Sequence, residues 1–159
     1  MVSEVRVIRK YQPADCEGVL RVWAQASAVA HPFLSEDFLE LERHNIPNKY
    51  LPNAETWVWV ADGQVVGFIS LLGSEVGAIF VDPEFHLSGI GRALMDRARA
   101  LRGELEVEVF ERNLIGRAFY AKLGFELMHQ KVHGQTGFEV MRLRLAANNP
   151  AQPTGCAGG

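Results

Sequence analysis

The sequence predicts a mixed α/β fold with a largely antiparallel sheet and the element order βααβββαβαββ. Three observations carry this reading. Segments that alternate apolar and polar residues, such as 104–110 (ELEVEVF), stand among segments whose apolar residues recur at helical spacing. Three strand-like segments follow one another across the tight turns Asp62-Gly63 and Gly73-Ser74, which makes them antiparallel neighbours. The chain has 159 residues and is 48% hydrophobic, which suits one domain around one apolar core.

Taken in order, residues 4–10 (EVRVIRK) alternate and form a strand. Pro13 opens a helix whose stripe is Val19, Leu20, Val22, Trp23 and Ala26. The run His31-Pro32-Phe33-Leu34 ends it. Ser35 caps a second helix that turns Phe38, Leu39 and Leu41 inward. Pro47, Pro52 and Asn53 mark a loop. Residues 56–61 and 64–72 form a hairpin, and 75–82 add a third strand that Pro83, lacking an N–H, brings to an end. A glycine-rich turn leads into a helix over 90–102 with Ile90, Leu94, Ala98 and Leu101 as its inner face. After the strand 104–110, a short helix over 114–123 is expected to bury Ile115, Ala118 and Phe119 and to stop at Gly124. Residues 125–133 and 138–145 make the last two strands. The tail has little to bury, so the expected division is a domain over 1–146 and a disordered segment over 147–159.

Composition excludes several function classes. The formal net charge is -3 and no basic run occurs, so no nucleic-acid partner is expected. No apolar run approaches the roughly 20 residues of a membrane helix. The N-terminus MVSEVRVIRK lacks an apolar core of the secretory type, so the expected location is the cytoplasm. Cys16 and Cys156 are too few and too far apart to suggest a metal knuckle or disulfide framework, and no metal is expected.

Chemistry concentrates in the passage Ile79-Phe80-Val81-Asp82-Pro83-Glu84-Phe85-His86-Leu87-Ser88-Gly89-Ile90-Gly91-Arg92-Ala93-Leu94. A strand ends at a proline, a loop carries glycines two apart, and a helix begins at once. Such a helix start presents unpaired N–H groups and the positive end of the dipole, and glycine lets an anion come close. A P-loop would need Gly-Lys-Ser/Thr, and here Arg92 and Ala93 follow Gly91. A dinucleotide fingerprint would need a third glycine where Leu94 stands. A plain connecting turn is the remaining alternative.

A second block, Asn113-Leu114-Ile115-Gly116-Arg117-Ala118-Phe119-Tyr120-Ala121-Lys122-Leu123-Gly124-Phe125, decides among them. With the first block, in this order and at this separation, the chain resembles the GNAT superfamily of N-acetyltransferases over roughly residues 5–145. His86 stands where the family usually has Gln or Arg, and Gly116 where Ala is common. The resemblance implies an acetyl-CoA-dependent transfer of acetyl to a primary amine of a small molecule or protein, by a monomer or homodimer, or else a non-catalytic coenzyme A sensor. It implies that the N–H groups of Leu87, Ser88, Gly89, Gly91 and Arg92 hold the pyrophosphate. Main-chain groups of Ile79 and Val81 would pair with the pantetheine arm in a slot beside 104–110. Asn113 would bond the arm, and Tyr120 would stand near the sulfur.

A phenol of ordinary pKa about 10 can return a proton to a departing thiolate, which makes Tyr120 the candidate general acid. For the base the candidates are Glu108 and His31, with Glu106, Glu75 and His133 behind them. Glutamates alternating with Leu105, Val107 and Val109 also read as a solvated sheet face. Phe33 and Leu34, in the proline-bearing loop, are candidates for the acceptor pocket. Trp57 and Trp59 share a strand face and read as core. Lys122 and Arg117 read as solvated helix residues, with a coenzyme phosphate as the alternative partner.

Overall fold

The computed structural model describes residues 6–147. Seven strands form one sheet: β1 (Arg6–Lys10), β2 (Glu55–Ala61), β3 (Gln64–Leu72), β4 (Glu75–Val81), β5 (Leu105–Phe110), β6 (Glu126–Val132) and β7 (Glu139–Leu145), in the spatial order β1-β2-β3-β4-β5-β7-β6. All neighbours are antiparallel except β4 and β5. The hairpin between β2 and β3 turns at Asp62 (φ 50°) and Gly63 (φ 81°), the positive-φ pair that matches strand twist.

Helices cover both faces of the sheet. On one face α1 (Cys16–Ala30) packs Val19, Val22 and Trp23 against Val58 and Phe68. On the other, α4 (Ile90–Arg102) packs against Ile69, Leu71 and Val107. Coverage from both sides is why β3 is buried over its whole interior, as its near-continuous apolar run requires. Trp57 and Trp59 lie half-buried against the α4 face, and the Arg97 guanidinium sits 4.6 Å from the Trp57 ring centroid.

Several local expectations need correction. The expected loop at 46–53 is helical: a π-turn over Ile46–Tyr50 runs on from α2 (Glu36–Asn45) into the single turn α3 (Leu51–Asn53). The missing N–H of Pro47 falls where α2 gives way to the π-turn and that of Pro52 where the π-turn gives way to α3, so each coincides with a change of helix type and not with a break. On α2 no residue is fully buried and Leu41 is exposed, because the helix lies at the rim and turns Phe38, Leu39 and Glu42 toward the interior. In α4 the inner face is Ile90, Leu94, Met95 and Ala98, while Leu101 lies exposed in the last turn before Gly103 leads the chain away. In α5 (Leu114–Leu123) Tyr120 is the buried residue, and Ile115 and Ala118 face solvent. The Asn113 cap sets that phase: Gly116 lies under the Asn113 side chain, which brings Phe119, Tyr120 and Leu123 round to the core. Residues 148–159, most of the expected tail, lie outside the described residues.

One irregularity organises the rest. The register of β3 against β4 shifts between Ser70 and Leu71, which leaves Gly77 as the extra residue of a β-bulge. β4 pairs with β5 only at Glu75↔Glu106 and Val76↔Val107. Beyond the bulge the two strands diverge, and β4 from Gly77 to Val81 faces a gap. At its closed end Arg142 of β7 reaches Glu75 (3.0 Å) and Glu106 (2.9 Å), tying three strands together.

Candidate active site

The gap opens into a cavity of about 350 Å³. Ile79 and Phe80 form one wall, Val107, Glu108, Val109 and Phe110 the other. Trp23 and Ser27 of α1 line it together with His31, which follows that helix, and Tyr120 lines it from α5 (Leu114–Leu123).

Next to the open end of the gap lies a cradle of backbone donors. After β4, a short 3-10 turn over Pro83–Phe85 delivers Leu87 and Gly89 in left-handed conformations, with φ of 66° and 87°. The first N–H to find a helical partner is that of Ala93, which reaches the Gly89 carbonyl at 3.0 Å. The N–H groups of Ile90, Gly91 and Arg92 therefore point out of the helix start without one. Leu87 is fully exposed, and a Cβ on Gly89 would meet nothing within 4 Å. Gly91 differs, since a Cβ there would come within 3.0 Å of the Phe119 ring. His86 braces the loop, its Nε2 lying 3.2 Å from the Val81 carbonyl, and the Ser88 hydroxyl donates to the Phe85 carbonyl. Consecutive free donors, a positive helix end and open approach fit a pyrophosphate.

Tyr120 is 7% exposed and held edge-on between Phe119 and Phe125, with ring centroids 5.4 and 5.3 Å away. Among the described residues no group hydrogen-bonds its hydroxyl. Burial pushes its pKa above the ordinary phenol value, so it stays protonated at neutral pH.

Residues 52–127 match the acetyltransferase (GNAT) domain model. The chain is 32% identical over 123 residues to the peptidyl-lysine N-acetyltransferase YiaC of Escherichia coli K12, covering 77% of this chain and 84% of that protein. It is 33% identical over 121 residues to the peptidyl-lysine N-acetyltransferase YjaB of the same organism, covering 76% and 82%. The solution structure of apo-form YjaB superposes with a TM-score of 0.80 at 28% identity, covering 91% of this chain and 99% of that one.

The chain belongs to the GNAT acetyltransferase family. As a GNAT enzyme it is an acetyl-CoA-dependent N-acetyltransferase that transfers acetyl to an amine. Among the described residues no helix is long and apolar enough to cross a membrane, and no group of three His, Cys, Asp or Glu side chains could hold a metal ion.

Within this GNAT fold the other predicted site residues fall as follows. Asn113 caps α5, its Oδ1 accepting from the Gly116 N–H at 2.8 Å. That contact orients the amide, so Nδ2 is the atom that donates to His31 Nε2 at 3.2 Å. His31 is thereby the acceptor, and desolvation lowers its pKa to about 4, leaving it neutral at pH 7. Leu34 lines the cavity. Phe33 packs beside it among the rings of His31, Phe110 and Phe138, at 5.8, 5.5 and 5.1 Å. His133 lines the cavity and holds the Thr136 hydroxyl at 2.9 Å. Glu108 lines it while paired with Lys131 at 3.4 Å, and Glu75 lines it while paired with Arg142. Arg117 donates to the Glu111 carbonyl at 3.0 Å, and Lys122 is exposed.

Three cavity residues carry no mark in the sequence reading. Glu42 accepts from the Tyr50 hydroxyl at 2.7 Å, and both line the cavity. The Ser27 Oγ is buried in its wall without a partner among the described residues. Helical spacing from Phe38 and Leu39 places Glu42 near the inner face of α2, but only the π-turn brings Tyr50 back to it.

Proposed function

We propose that this acetyltransferase modifies the ε-amine of protein lysines in the cytoplasm. The observation that carries the reading is the gap between β4 and β5, which connects a pyrophosphate cradle, a protonated and otherwise unbonded phenol, and an apolar chamber with carboxylates in its wall. Two relatives similar over most of their length are named for peptidyl-lysine, and the aliphatic stem of lysine suits walls such as Trp23, Leu34 and Phe68.

The N–H groups of Leu87, Ser88, Gly89, Gly91 and Arg92 would hold the coenzyme pyrophosphate, and the unpaired edge of β4 at Ile79 and Val81 would bond the pantetheine arm. A β4 N–H facing the gap supplies the oxyanion donor. As the amine nitrogen bonds to the acetyl carbon and the C–S bond breaks, Tyr120 gives its proton to sulfur, and the amine gives up its own to water. Burial raises the phenol pKa, so Tyr120 keeps its proton until the thiolate forms, and water returns one to it after transfer. His31, neutral and already accepting from Asn113, is assigned to holding the start of α5 in place. Asn113 spends its amide on that bracing, while its N–H donates to the Phe110 carbonyl at 2.9 Å and its carbonyl accepts from the Arg117 N–H at 3.0 Å, so its part is to position the start of α5 beside the gap.

The test offers acetyl-CoA and lysine-bearing peptides, following free thiol and the mass of the peptide. Wild type should acetylate lysine. Tyr120→Phe should keep its fold and coenzyme affinity but lose about 10²-fold in kcat, with little change in KM for acetyl-CoA. Full activity in that variant would remove Tyr120 from the reaction. Coenzyme binding with no acetylated amine would favour the sensor.

A further inference from the structure

Three carboxylates line the cavity, and two are already neutralised. Glu75 is paired with Arg142 and Glu108 with Lys131. Glu42 has no cationic partner among the described residues. Its neighbour Arg43 is engaged elsewhere, with Glu40 at 3.3 Å and over the Trp23 ring at 5.2 Å from its centroid. What holds Glu42 is the Tyr50 hydroxyl at 2.7 Å, which Asn45 Nδ2 approaches at 3.5 Å from behind. Burial, followed by the Glu42 contact, raises the Tyr50 pKa, so Tyr50 remains a donor. A half-buried carboxylate with one neutral hydrogen bond still has accepting capacity and an uncompensated charge, which a cation entering the cavity relieves. A second observation points the same way. The Ser27 hydroxyl, on a residue only 2% exposed, lies in the wall of the same cavity with no partner among the described residues. A buried polar atom left unbonded is costly unless something that enters the cavity meets it.

We infer that Glu42, oriented by Tyr50, is the residue that receives the acceptor's primary ammonium group as it enters, before that group gives a proton to water and attacks as the neutral amine, with the Ser27 hydroxyl as a further polar contact in the chamber. The acceptor class follows from the surroundings: a primary ammonium on an unbranched apolar stem, since Trp23, Phe38, Leu39, Ile46 and Leu51 form the adjoining wall. The inference rests on the acetyltransferase reading above and deepens it.

The experiment uses n-butylammonium, which has the lysine stem and head, titrated calorimetrically into the full chain in the presence of coenzyme A. Wild type should bind it. Glu42→Gln, which keeps shape and removes charge, should weaken binding at least tenfold, and Tyr50→Phe should weaken it several-fold by freeing the carboxylate. Glu17→Gln, an exposed carboxylate of α1 outside the cavity, should bind as wild type does. With a lysine peptide as acceptor, Glu42→Gln should raise KM for the peptide and leave KM for acetyl-CoA unchanged. Wild-type affinity in Glu42→Gln, an equal loss in Glu17→Gln, or no binding of n-butylammonium by wild type would each overturn the inference. Coenzyme A affinity, measured on the same samples, separates the outcomes: its absence in wild type defeats the broader reading, while its presence with unchanged n-butylammonium binding defeats the role of Glu42 alone.

Discussion

Asp15 shows how much a single buried side chain can hold. Its carboxylate is 7% exposed and takes both Arg9 nitrogens, at 2.8 and 3.0 Å, and the Gln12 N–H at 2.8 Å. It thus ties β1 to the start of α1. The Arg9 hydrogen bonds hold its pKa below the usual carboxylate range. A depressed folded-state pKa means stability that is present above the unfolded value of about 3.9 and is lost as pH falls through the folded one. Asp15→Asn should therefore cost roughly 1–3 kcal/mol at pH 7, the range for hydrogen bonds to charged groups. The difference from wild type should shrink below about pH 4, where wild type itself becomes protonated. Denaturant melts at pH 7 and pH 3 check both parts, and an unchanged gap at pH 3 would contradict the assignment. Tyr120 is the complementary case: a neutral group whose neutrality burial protects.

At the scale of elements, the cradle depends on two glycines for different reasons. Gly89 is needed for its backbone, since φ of 87° strains any L-residue although the space around it is open. Gly91 is needed for its size, since a Cβ there meets Phe119, whose ring lies against Tyr120. Gly91→Val should lower coenzyme affinity at least roughly tenfold, about 1.4 kcal/mol, and should also slow transfer by displacing Phe119. Gly89→Ala should cost about 1–2 kcal/mol in strain at the helix start, with a smaller effect on kcat. Calorimetric titration with coenzyme A, alongside melts of each variant, distinguishes them. If Gly91→Val bound coenzyme as wild type does, the helix start would not be the cradle.

At the scale of the whole molecule, the site exists because two halves of the sheet part along β4 and β5. Glu75 and Glu106 are register partners across that seam, where like charges repel. Arg142 lies between them and holds the seam closed at one end while the Gly77 bulge lets it open at the other. Arg142→Met should leave two carboxylates facing each other and reduce stability by roughly 1–2 kcal/mol, from lost charged hydrogen bonds in a partly exposed setting. Coenzyme affinity should fall with it, because the width of the gap is no longer held. Melting curves and coenzyme titration test this, and normal coenzyme affinity in the variant would show that the bulge alone shapes the gap.

The order of the elements, the hairpins at Asp62-Gly63 and Gly73-Ser74, the helix caps at Ser35 and Gly124, and the glycine turn at 86–91 were all legible in the sequence. Each depends on interactions that act within a few residues: a two- or 3.6-residue period, a positive φ, a side chain reaching the N–H three positions on. The same locality explains the errors. Proline at 47 and 52 reads as a break when the change of helix type it coincides with is not visible, and the inner face of α5 cannot be read until the cap has set its phase. Only the tertiary structure brought His31 to Asn113, 82 positions away, and Arg142 to Glu75, 67 away. It alone showed that Glu108 and Glu75 already have cations while Glu42 has none among the described residues. Whether a carboxylate's charge is answered depends on which strands and helices converge around it, and no period or motif along the chain records that.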